Sequence, residues 1–149
     1  MTSPSESQEQ KHPRASGSTG RRGEDVAARY LVRQGCAIVA RNWRAAPGEV
    51  DIVARCPAAA PVSQREQELL FVEVRTRHGR SGLAEESISG RKASNMAAAA
   101  YAYMAANNID PNTAPWRIDL IAISMFGSTI TSINWVKGAI GEETIEDDR

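Results

Sequence analysis

Apolar residues recur along the chain with two periods, and each change of period marks an element. From Thr19 to Gln34 the apolar positions Val26, Ala27, Tyr30 and Leu31 form one stripe at helical spacing, with Ser18 or Thr19 as a cap and Gly35 as a stop. The pattern then alternates: Cys36–Arg44 (CAIVARNWR) and Glu49–Arg55 (EVDIVAR) read as strands joined by the turn Ala45-Ala46-Pro47-Gly48. Residues 56–68 (CPAAAPVSQREQE) carry two prolines and read as a long hairpin loop before a third strand, Leu69–Arg77 (LLFVEVRTR). Residues 79–90 read as a loop ending in Ser87–Ser89. An alanine-rich helix follows over Arg91–Asn107, with Met96, Ala100, Tyr103 and Met104 turned inward. Trp116–Ser124 and Thr129–Val136, separated by a Phe126-Gly127-Ser128 turn, complete the order αβββαββ. A meander of three strands followed by a helical crossover implies an α/β fold, a mixed sheet with helices against it.

Residues 1–18 (MTSPSESQEQKHPRASGS) are too polar to offset the entropy of ordering and read as a disordered leader. Residues 19–140 then form one domain and 141–149 an acidic tail. The leader has no apolar core of a signal peptide, and no stretch approaches the ~18 apolar residues of a membrane helix, so a cytoplasmic place is expected. Cys36 and Cys56 lie in no metal-ligand spacing and read as reduced thiols. No phosphate-binding glycine loop and no nucleophile-elbow motif is present.

Strand alternation singles out the chemistry. It puts Glu49, Asp51 and Val53 on one face, with Val50 and Ile52 opposite. It puts Phe71, Glu73 and Arg75 on one face, with Leu70, Val72 and Val74 opposite. If the strands are neighbours, Asp51 and Glu73 converge inside apolar surroundings, where an uncompensated carboxylate is costly. Two carboxylates with water and a carbonyl, that of Val74, make the hard oxygen site Mg²⁺ prefers. The plainer alternative is a solvated face, or acids paired with Arg55, Arg75 or Arg77. Glu24 falls beside Leu31, at the margin of the buried stripe rather than with the arginines.

The formal net charge of zero hides an uneven distribution. Lys11, Arg14, Arg21, Arg22, Arg29, Arg33, Arg41 and Arg44 face only Glu24 and Asp25, while the final EETIEDDR is acidic. Arg22, Arg29 and Arg33 cluster on one helix face. With Arg41, Arg44, Arg77 and Arg80 they are candidates for nucleic-acid phosphate contacts, or else a solvated face. Asp119 either lies near the site or pairs with Arg117. His78 reads as solvated, with a phosphate contact as the alternative. Lys92 reads as an exposed helix lysine, with reach into the site in place of the motif lysine as the alternative. Trp43, Trp116 and Trp135 read mostly as core rather than base-stacking groups.

Glu24 in GRRGEDVAARYL, then GEVDIVA, FVEVRTR and a lysine-bearing helix, with Asn42-Trp43-Arg44, RIDLIAI and Ile133-Asn134-Trp135, resemble the YraN-like family of uncharacterised bacterial proteins. Through it the chain is similar to the PD-(D/E)XK nuclease superfamily and archaeal Holliday junction resolvases. The resemblance covers roughly residues 20–139. It implies a restriction-endonuclease-like fold and a catalytic set of Glu24, Asp51, Glu73 and the next motif position, with Asp51 and Glu73 as ligands of Mg²⁺ or Mn²⁺. It implies DNA, branched or structured, as partner, and a homodimer. At the position where the superfamily motif has lysine stands Arg75, which supplies charge but cannot relay a proton. Mg²⁺-dependent cleavage of branched or flapped DNA is the expectation. A DNA-binding module that has lost cleavage and a protein-interaction domain are the alternatives.

Overall fold

The structure is a computed structural model and describes residues 17–58, 67–79 and 88–139. The leader before Gly17, Arg80 and the acidic tail lie outside these residues. The elements follow the expected order: α1 (Gly17–Arg33), β1 (Ala37–Ala45), β2 (Gly48–Pro57), β3 (Gln67–His78), α2 (Gly90–Ala106), β4 (Trp116–Phe126) and β5 (Thr129–Val136). Helix α1 begins earlier than expected, so Ser18 and Thr19 lie inside its first turn rather than capping it. β2 and β3 both run further into their connection than the prolines suggested. They remain paired out to Pro57 and Gln67, because Ala54, Cys56, Leu69 and Leu70 still have core to cover.

The strands form one sheet in the order β1-β2-β3-β4-β5, antiparallel except for the parallel β3–β4 pair that α2 connects. Each face carries its own core. Phe71, Leu69, Val53, Ile118 and Leu120 pack with Met96, Ala100, Tyr103 and Met104 of α2. On the other face Ile52, Leu70, Val72, Ile121 and Ile123 pack with Ala27 and Leu31 of α1. This alternation in β3 is the expected one, Phe71 on one face and Leu70, Val72 and Val74 on the other.

In β2 the expected alternation fails, since Val50 and Val53 both join the α2 core while Ile52 joins the other. The phase slips between them, and the residue of β1 in register there, between the partners of Ile52 and Val50, is Asn42 with φ 52°. A positive-φ residue on an edge strand locally increases twist. Asp51 sits at this irregularity.

Two glycines let the helices close on the sheet around the same place. A Cβ at Gly23 of α1 would stand 2.0 Å from Oγ1 of Thr76 in β3, and one at Gly48 would stand 1.9 Å from the carbonyl oxygen of Asn95 in α2. Only glycine permits either approach.

The cysteines correct an expectation. Cys36 and Cys56 are joined as a disulfide, next to the Ala37–Arg55 pair of the β1–β2 ladder. Antiparallel neighbours bring Cβ atoms of opposed residues within bonding reach, which a separation of 20 residues in sequence conceals. Among the described residues no helix is long and apolar enough to cross a membrane.

Candidate active site

The β2–β3 ladder runs as far as Ile52 and Val72. Beyond it the strand backbone is replaced by a side chain: the Val74 N–H donates to Oδ2 of Asp51 at 2.8 Å. This bond fixes Asp51 at the fork between two strands, and Glu73, the residue before Val74, hydrogen-bonds to it through its carboxyl group. The convergence of Asp51 and Glu73 therefore holds, although Asp51 reaches it by the slipped phase of β2 rather than by simple alternation.

Glu73 is the buried member of the pair and the one short of partners, while Asp51 is partly exposed and accepts from Val74. Glu73 is 7% exposed, and its buried Oε2 accepts no hydrogen bond. Nζ of Lys92, in the first turn of α2, stands 3.5 Å from that oxygen as an ion pair without hydrogen-bond alignment. Burial, and then the charge of Asp51, raise the Glu73 carboxyl to about 7, against the opposing charges of Lys92 and Arg75. Asp51 is raised as well, by burial first, with the Val74 N–H and Lys92 acting against it. Burial and the mutual repulsion of the two carboxylates thus both favour the protonated forms.

Glu24 approaches from α1, half-buried. Its carboxyl is raised by burial and then by Asp51, and lowered by Arg41 and a hydrogen bond with the Asn42 side chain. Arg41 stands 3.9 Å from Glu24 and 2.8 Å from Asp25. Arg75 is half-buried and bears on Glu73 by its charge. Lys92 overturns the expectation of an exposed lysine. Its side chain is 22% exposed, because Ser89 caps α2 through the Lys92 N–H and the Gly48 contact seats the helix close to the sheet. Only the i,i+3 spacing of Ser89 and Lys92 hinted at this in the sequence.

The other candidates divide. Asp119, 0% exposed, pairs with Arg117 and lies in a separate network, so its role is the structural one of the two expected. Each tryptophan is held in packing: Trp43 donates to the Ala99 carbonyl and meets Tyr103 edge-on, and Trp116 donates to the Pro111 carbonyl against Phe71. Trp135 donates to Asp119 and meets Tyr30. Of the arginines, Arg29, Arg33 and Arg77 are exposed, Arg22 is exposed and donates to the Ser128 carbonyl, and Arg44 pairs with Glu49 at 3.7 Å. His78 is exposed at the end of β3.

Among the described residues no group of three or more His, Cys, Asp or Glu side chains is gathered to hold a metal ion. Two carboxylates, one with a buried oxygen lacking a hydrogen-bond partner, still fit Mg²⁺ or Mn²⁺. Mg²⁺ commonly takes one or two protein carboxylates and completes its shell with water and phosphate oxygens.

The sequence pattern of an uncharacterised protein family, UPF0102, matches residues 23–123, which run from the Gly23 contact through Glu24, Asp51, Glu73 and Lys92 into β4. The chain belongs to UPF0102. A UPF0102 protein of Roseiflexus castenholzii is 48% identical over 114 residues, 72% of this chain and 84% of that one. One of Chloroflexus aurantiacus is 42% identical over 124 residues, 83% of this chain and 93% of its own. One of Frankia alni is 39% identical over 112 residues, covering 74% and 84%. These relatives carry the UPF0102 name without a stated activity, so the chemistry of this member rests on its own residues.

Proposed function

We propose that this UPF0102 protein binds branched or flapped DNA and cuts it as an endonuclease dependent on Mg²⁺ or Mn²⁺. The observation that carries this reading is the Asp51–Glu73 pair at the fork of β2 and β3, with Glu73 buried and one of its carboxylate oxygens lacking a hydrogen-bond partner. Asp51 and Glu73 would hold the ion, which when bound polarises a phosphodiester and acidifies a water. The chain's own residues do the rest. Val74 aims Asp51, Glu24 adds negative charge on the α1 side, and Arg75 offsets charge without relaying a proton.

The exposed Arg22, Arg29 and Arg33 of α1, with Arg77, supply the phosphate contacts. Arg41 and Arg44, each paired with an acid of this chain, are the further candidates. Neutralising Arg22, Arg29 and Arg33 together lowers affinity and flattens its salt dependence by about one unit of slope per lost contact. An unchanged slope would mean that this face is only solvated.

Cleavage of flap, junction and linear DNA with Mg²⁺ or Mn²⁺, with Asp51→Asn as the blank, tests the enzyme. No cleavage above the blank leaves the second reading, a binding module of the same fold, which the arginine at position 75 favours. Equilibrium sedimentation tests the homodimer that two cuts across a junction call for. A place in the cytoplasm belongs to this proposal too, and the Cys36–Cys56 bond argues against it, since such bonds are rare there.

A further inference from the structure

Helix α2 starts against its own electrostatics. Its first turn holds Arg91 and Lys92 and no acid, although the N-terminal end of a 17-residue helix is already the positive pole of its dipole. Cations there are unfavourable unless an anion offsets them. Ser89 takes the Lys92 N–H, while the N–H groups of Gly90 and Arg91 have no acceptor further back within the helix. Among the described residues Lys92 pairs with Glu73, more than nine-tenths buried, whose Oε2 faces Nζ at 3.5 Å without forming a hydrogen bond. The helix cannot drift away from this contact, because Gly48 packs against the backbone of Asn95 one turn further along. A cation is thus fixed beside two carboxylates and only partly used by them.

Resting on the reading of Asp51 and Glu73 as metal ligands, we propose that Lys92 and the first turn of α2 receive the substrate's phosphate group beside the metal. With a divalent ion held by Asp51 and Glu73, the Lys92 ammonium would be free to meet a non-bridging oxygen of a phosphodiester, which would also meet the positive end of the helix. Lys92 is thereby the cation that contacts substrate, and Arg75 stays with the carboxylates. The arginine at position 75 then costs the site less than its place in the motif suggests.

The probe is a fluorescein-labelled flap duplex, with affinity measured at several salt concentrations in Ca²⁺, to permit binding without cutting, and again in EDTA. The parent should bind more tightly in Ca²⁺ than in EDTA. Lys92→Gln should lose about tenfold in the Ca²⁺ affinity, the scale of one charge-assisted contact, and about one unit of salt slope. Lys92→Arg, which keeps the charge, should stay within about threefold of the parent, and Arg75→Gln should lose less than Lys92→Gln. A purely structural Lys92 would lower the melting temperature and leave the slope unmoved. Parent-like affinity and slope for Lys92→Gln, in a parent that does gain from Ca²⁺, overturns this inference alone. A parent that gains nothing from Ca²⁺ overturns the metal reading of Asp51 and Glu73, and this inference with it.

Discussion

Two buried acids stand on neighbouring parts of one sheet and are treated in opposite ways. Asp119 of β4 is fully buried, and both its oxygens are satisfied. Arg117 Nε donates to both at 3.0 Å, Trp135 Nε1 to Oδ2 at 2.8 Å and the Gly138 N–H to Oδ1 at 2.8 Å. Arg117 is itself steadied by Glu68. Glu73 of β3, nearly as buried, lies against a second acid that raises its carboxyl further, and its Oε2 is left without a hydrogen bond. A fold that lines up donors for one carboxylate and withholds them from another a few residues away has left the second for something else. Burial alone does not mark a functional acid. Incomplete satisfaction in a place that is otherwise well ordered does.

The largest expected effect comes from breaking the satisfied side. Asp119→Ala leaves Arg117, Trp135 and Gly138 without their acceptor and should cost about 3–5 kcal/mol in urea unfolding. Glu73→Gln, measured the same way without metal, should cost less than about 1 kcal/mol or stabilise, because it removes an under-satisfied charge. Equal losses for the two variants would erase the distinction.

The pH dependence separates them next. Glu73 is raised from 4.5 to about 7, so the folded protein keeps a proton that the unfolded chain releases. The stability tied to this group is complete below about pH 4.5, falls as pH rises toward 7, and is gone above it. At about 1.4 kcal/mol per pH unit the decline amounts to roughly 3 kcal/mol. Metal-free parent protein should show it, with Asp51 and Glu24, also raised, adding in the same direction. Glu73→Gln should flatten it, whereas a slope as steep in Glu73→Gln as in the parent would place its origin elsewhere.

Gly23→Ala should cost about 1–3 kcal/mol, as overpacking does, by forcing α1 from Thr76. It should also weaken DNA cleavage, since Gly23 adjoins Glu24. Metal affinity should follow the same titration. An ion on the pair displaces the Glu73 proton, so Mn²⁺ binding followed by calorimetry should strengthen up to about tenfold per pH unit below 7 and level off above it. A flat profile would place the ion away from Glu73.

The sequence made the β3 half of the site legible, because Phe71, Glu73 and the flanking Leu70 and Val72 alternate without interruption. The β2 half was legible in its residues but not in its geometry. Asp51 lies at a phase slip opposite Asn42, and a positive φ in the partner strand has no clear signature in apolar spacing. Lys92 was misread because its burial depends on how closely α2 sits on the β1–β2 turn, a contact between Gly48 and Asn95 that links positions far apart in sequence. The cysteine pairing escaped for the same reason, being a consequence of strand register rather than of spacing. Asp119 left both of its expected roles open until Trp135 and Gly138 were seen to converge on it.

Asp51 and the under-satisfied Glu73 are proposed to hold a divalent ion. Anomalous diffraction from crystals soaked in Mn²⁺ tests it most directly. The account predicts one strong peak between the two carboxylates, with Lys92 released from Glu73, and no peak in the Glu73→Gln protein. Crystals that take up Mn²⁺ elsewhere, or not at all, with Lys92 still against Glu73, would contradict it.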